Sequence, residues 1–272
     1  MSEQLQLLVT VKAYPALSRK HGEVVCVAGV RTDTERPEWV RLFPVPFRDL
    51  PFDQRFTKYQ IITVECRRPS TDRRPESYQP DPDTLVLGET LPAGGTWPER
   101  RALIEPLTVE SMCWIQAQQK VDGTSLGVFR PAEVLDFEME PEPEDWDPGK
   151  LGIASQPSLF FPGKKGLQKI PYRFRYVYRC SESDCGTHSQ SIVDWELAQS
   201  FLSWGHRYSR PVLLERIREK WLGDLCGPDK DTMFYVGNQH QHPESFLVLG
   251  VFYPKHGIKE AQPPGYAAGP PT

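Results

Sequence analysis

The stretch YRFRYVYRCSESDCGTH, residues 172–188, decides how the chain is read. Its first half alternates. Tyr172, Phe174, Tyr176 and Tyr178 fall on one face of an extended strand, and Arg173, Arg175 and Arg179 on the other. Its second half gathers Cys180, Cys185 and His188 within nine residues. The strand predicts an aromatic face turned to a core and a cationic face turned outward. The cysteines and histidine raise the choice between a metal knuckle and an ordinary hairpin tip.

Zinc takes four tetrahedral donors from thiolates, imidazoles or carboxylates. Cys180 ends the strand, SESD is polar turn material, and Gly186 lets the backbone curl. The C-x4-C-x2-H spacing is not that of the common C-x2-C motifs. Still, two thiols beside a histidine in a polar turn favour a metal over exposed free cysteines. We therefore expect Cys180, Cys185 and His188 to bind a structural zinc ion. The fourth ligand is open among Cys226, His206, His240, His242 and Asp194, with Cys226 the most attractive. Cys26, Cys66 and Cys113 read as small buried hydrophobes. A nucleophilic Cys185–His188 pair lacks any sign of an oxyanion hole.

Upstream, the cationic set extends to Lys164, Lys165 and Lys169, and residues 164–179 hold no acid. Arginines two apart on a strand sit about 7 Å apart, near the spacing of successive phosphates in an extended single strand. Nucleic-acid binding by Lys164, Lys165, Lys169, Arg173, Arg175 and Arg179 is the expectation. An acidic protein partner, or the chain's own acidic run at 138–147 folding back, is the competing reading. A second cluster, Arg67, Arg68, Arg73 and Arg74, could extend the surface or clamp a phosphate.

Farther out, Val193, Leu197, Phe201 and Trp204 mark an amphipathic helix. A second helix starts at Pro211 and stops at Gly227–Pro228. TMFYVGN and SFLVLGVFYP are two closing strands. In the first half, residues 5–14, 23–32, 39–45 and 58–68 read as strands, and 69–98, rich in proline, as an ordered loop or linker arm. A helical pattern broken at Pro106 follows. No repeat of fixed period is visible. The fold class is mixed α+β. A β-rich domain is expected over 1–132, an acidic linker over 133–150, an α+β domain over 151–258 and a disordered tail over 259–272.

The chain of 272 residues has a net charge of −4. That balance is uneven: residues 81–150 carry 15 acids against 5 Lys/Arg, and both flanks are net positive. Global charge thus argues against indiscriminate nucleic-acid binding, while local charge leaves room for a basic face. No signal peptide or apolar run of spanning length is present, so a cytoplasmic protein without membrane contact is expected. Six cysteines are too few for a disulfide scaffold. No Gly-rich phosphate loop appears. The preferred function is nucleic-acid binding, in an accessory role in nucleic-acid processing or prokaryotic defence. A metal-dependent hydrolase or nuclease using His240 and His242, and a non-catalytic protein-interaction subunit, are the alternatives.

Overall fold

The computed structural model describes residues 2–18, 22–155 and 166–257. The expected tail, 259–272, lies outside the described residues, as do Lys164 and Lys165. Five strands close a barrel in the first half. They are β1 (Ser2–Lys12), β2 (Gly22–Arg31), β3 (Trp39–Val45), β4 (Gln60–Arg67) and β5 (Ser77–Pro80). β1 pairs antiparallel with both β2 and β4, β2 with β3, and β4 with β5. A parallel β3–β5 pair completes the ring. The circuit is one-two-three-five-four-one, and β6 (Val86–Thr90) adds to β4 outside it.

The stretch 69–98, read as a loop, therefore supplies two strands. β5 has four residues and ends on a proline, too short for alternation to show.

After α1 (Pro98–Ile104) and α2 (Met112–Asp122), the second half repeats the circuit. β7 (Leu126–Phe129) and β8 (Glu133–Pro141) together make its first strand. A short helix, α3 (Pro148–Ala154), precedes β9 (Tyr172–Arg179) and β10 (His188–Ser191), its second and third strands. Helices α4 (Trp195–Gly205) and α5 (Arg210–Arg218) lead to β11 (Met233–Gln239) and β12 (His242–Phe252), its fourth and fifth. β9 pairs with β8 and β10, and β11 with β12 and β7. A parallel bridge, Ile192 to Val248, joins strand three to strand five, as in the first barrel. The repetition is one of topology, carried by no repeated sequence.

Residues 133–141 thus form a barrel strand rather than a linker. Phe137 and Met139 pack on the core, while Glu138 and Glu140 face outward. The alternation is there over 137–140, hidden because a register irregularity between Val134 and Asp136 interrupts it and the outward residues of this stretch are acids.

Each barrel has its own interior. Leu5, Leu7, Val27, Leu42, Ile62 and Val64 fill the first; Phe137, Phe174, Tyr176, Phe234 and Trp221 fill the second. A third core lies between them, where Leu8, Val11, Ala28 and Val30 meet Val128, Tyr235, Leu249 and Phe252. From Leu7 to Val11, β1 is therefore buried on both faces.

A polar lock crosses the same junction. Arg41 donates to the carbonyl (2.7 Å) and hydroxyl (2.9 Å) of Ser125. The Glu76 carboxylate accepts from the Ser125 amide (2.9 Å) and hydroxyl (2.7 Å) and from the Leu126 amide (3.3 Å). Removing that acceptor strands buried donors, so Glu76→Ala is expected to cost about 2–3 kcal/mol, measured by urea denaturation. No helix among the described residues is long and apolar enough to cross a membrane.

Candidate metal centre and cationic face

The N-terminus of α2 faces the β9–β10 turn. Ser111 caps the helix, its hydroxyl accepting from the Trp114 amide at 2.9 Å and donating to the Glu182 carboxylate. The cap presents Cys113 to the turn, where Cys180, Cys185 and His188 converge with it. The four donor atoms all lie within 4.8 Å of one another. His188 Nε2 is 3.2 Å from Cys185 Sγ and 3.4 Å from Cys113 Sγ. Donors around a tetrahedral zinc ion stand roughly 3.5–3.8 Å apart. The Cys180 amide donates to Cys185 Sγ at 3.4 Å. The His188 ring stacks on Tyr178 at 5.1 Å.

Burial pushes the Cys113 thiol up to about 12, raises Cys180 and lowers His188. Without a cation, burial makes the Cys113 and Cys180 thiols resist ionisation and favours the neutral imidazole of His188. A divalent cation reverses the preference of the thiols and leaves the imidazole free to ligate. The chemistry of the donor set thus fits a metal.

The sequence brought three of the four ligands into view and missed Cys113. It lies 67 residues before Cys180, and its only local signal is its place in the first turn of a capped helix. Cys226, the favoured fourth ligand, is elsewhere. Its thiol donates to the Trp221 carbonyl at 3.4 Å in the barrel core. Asp194 caps α4, accepting from the Glu196 amide at 2.6 Å. His206 ends that helix, and His240 and His242 lie on an exposed turn. Among the described residues, the Cys113 group is the one metal-ligating cluster.

The β9 alternation is as the sequence implies: Phe174, Tyr176 and Tyr178 are buried, and Arg173 and Arg179 are exposed. Arg173 pairs with Glu142 at 2.5 Å and Glu140 at 3.8 Å, and Arg175 with Glu140 at 3.1 Å. Lys169 donates to the carbonyls of Pro143 (2.5 Å) and Asp145 (3.2 Å). The acidic run does fold back onto these cations. Arg179 has no carboxylate within ion-pair distance among the described residues.

The two barrels differ in what covers this face. In the first, Ala28 and Val30 on strand two are buried against the second barrel. In the second, Arg173, Arg179 and Ser189 remain exposed, and Arg175, Val177 and Ser191 half-buried.

Residues 108–267 match the model of a domain of unknown function, DUF8757, and residues 3–106 match another, DUF8758. No curated protein matches the chain. A murine DNA-binding protein bound to double-stranded DNA aligns over 96% of this chain and 100% of its own, at 10% identity and a TM-score of 0.30. The Ifi202 HINa domain in complex with 20-bp double-stranded DNA aligns over 94% and 97%, at 9% identity and 0.31. At these scores the likeness carries no argument about fold or function.

Proposed function

The chain belongs to the DUF8757 family, and we propose that it is a nucleic-acid-binding protein whose second barrel is stapled by a structural zinc ion. The observation that carries the reading is the uncovered outward face of β9 and β10, with Arg173, Arg175 and Arg179 in a row. Five-stranded Greek-key barrels of the OB type hold oligonucleotides on strands two and three. β9 and β10 occupy those positions. The link is by analogy of architecture, and the arginines supply the chemistry that makes it specific to this chain.

Glu140 and Glu142 do not close the face. Exposed ion pairs contribute about 0–1 kcal/mol, so a phosphate can take the place of a carboxylate. Lys169 extends the cationic set toward the start of β9, and in sequence Lys164 and Lys165 precede it. Three thiolates and an imidazole form a closed structural zinc set with no open position. Zinc there ties the β9–β10 hairpin to α2 and so fixes Arg179, next to Cys180. An accessory place in nucleic-acid processing or defence completes the proposal.

Filter binding of single-stranded oligonucleotides at several salt concentrations tests the reading. Arg173→Ala/Arg175→Ala should weaken binding and flatten the log–log salt slope by roughly 1.4, since each phosphate contact on a single strand contributes about 0.7. Glu140→Gln should tighten binding, because it frees Arg175 and leaves Arg173 with Glu142 alone. Absence of binding by the wild type, or superimposable curves for the double mutant, would move the assignment to an acidic protein partner.

A further inference from the structure

On the β9 face, Arg173 and Arg175 are matched by carboxylates. Arg179 apart, that face is compensated, whereas three arginines near the junction of the barrels are not. β4 ends at Arg67, and the turn that follows carries Arg68, Arg73 and Arg74. Arg67 donates to the Gln79 amide oxygen at 3.3 Å, and Arg68 lies over the Tyr78 ring at 3.8 Å. Neither they nor Arg73 has a carboxylate within ion-pair distance among the described residues. The acids of the turn are engaged: Asp72 with Arg74 at 2.7 Å, and Glu76 in the lock around Ser125. The Arg74 pair holds the Asp72 carboxyl down at about 2 against the opposing effect of its burial, so it stays charged and paired.

This turn joins strand four to strand five of the first barrel. The corresponding turn of the second barrel, at His240, touches it. His240 Nε2 is 3.1 Å from the Thr71 carbonyl oxygen, and Arg74 donates to the Asn238 carbonyl at 2.9 Å. Between them is a cavity of about 300 Å³ lined by Arg73, Arg74, Asp72, Gln119, Asn238 and His240. Arg74 is spent on Asp72 and Asn238, which makes it the brace of the site. Arg73 and His240 are exposed; the Arg73 guanidinium is available to an anion, and with His240 Nε2 given to the Thr71 carbonyl, Nδ1 of the imidazolium form can donate as well.

We propose that this junction binds a phosphodiester group of a nucleic acid, with Arg73 and His240 as the direct contacts. The site rests on the nucleic-acid reading and adds to it a second anchor, built from both barrels. A guanidinium offers paired donors to phosphate oxygens, and the imidazole adds one more.

The test follows the His240 ring signals by NMR while poly-thymidine oligonucleotide, or inorganic phosphate alone, is added to the full chain. Oligonucleotide affinity is measured in parallel for Arg73→Ala and His240→Gln, both at exposed positions. The expected result is a His240 shift with oligonucleotide, roughly tenfold weaker binding by Arg73→Ala, and a salt slope flatter by about 0.7. Oligonucleotide binding unchanged by both substitutions overturns the junction site and leaves the β9 reading standing. A His240 response to inorganic phosphate, with no oligonucleotide bound by the wild type, overturns the nucleic-acid assignment and points to free phosphate. A silent His240 with oligonucleotide still bound overturns the junction site alone; a silent His240 with no oligonucleotide bound by the wild type overturns the junction site together with the reading it rests on.

Discussion

Cys113→Ser should strip the metal from the protein and lower its unfolding free energy by about 3–5 kcal/mol, because metal binding is then part of folding. The cluster joins α2 to the β9–β10 turn across 67 residues of chain, and few hydrogen bonds besides Ser111–Glu182 do the same work. Cys226→Ser is the control. Cys226 is another poorly exposed thiol, packed against the second barrel's core but outside the cluster, so this variant should retain its metal. Elemental analysis of both variants and wild type, with denaturation curves before and after chelator, gives the answer. A wild type that purifies without metal and ignores the chelator would sink the zinc proposal.

Tyr176→Ala is the second large effect, expected at about 3–5 kcal/mol by comparison with other aromatic truncations. Tyr176 is fully buried, its ring stacked on Phe234 at 4.6 Å, and its hydroxyl donates to the Trp221 carbonyl at 2.7 Å. Tyr176→Phe keeps the ring and loses the bond, for about 1 kcal/mol. Neither variant should alter the salt slope of oligonucleotide binding, since the ring faces inward while Arg175 and Val177 face out. A Tyr176→Phe protein with normal stability and a changed slope would put the ring on the binding surface instead.

What the sequence revealed follows from how far each signal reaches along the chain. Alternation on β9, the α4 stripe and the knuckle are local, and the structure has them where the residues imply. Strands β5 and β8 escaped notice for different reasons: one is too short for a period, and the other has its period broken between Val134 and Asp136 and is rich in acids. Cys113 was invisible as a ligand because nothing near it in sequence marks it. The duplicated circuit is carried by pairings such as Leu5–Val64 and Phe129–Phe234, which no window of sequence contains. The sequence showed both arginine clusters, but not that Arg173 and Arg175 are matched by glutamates while Arg67, Arg68 and Arg73 are not.

The core shared by the barrels bears on how the protein is made. β1 to β5 can close as soon as Pro80 has left the ribosome. The patch around Ala28 and Val30 lacks Tyr235, Leu249 and Phe252, a large part of its cover, until β11 and β12 follow, more than 150 residues later. At about 5–20 residues per second, that is on the order of ten to thirty seconds of bare apolar surface. β7 waits about 100 residues for β11, and the Cys113, Cys180, Cys185 and His188 cluster cannot assemble before His188 emerges. Synthesis thus passes through a folded first barrel with a sticky side, a natural client for a chaperone. Slowing translation after residue 106 should lengthen that exposure and raise the aggregated fraction.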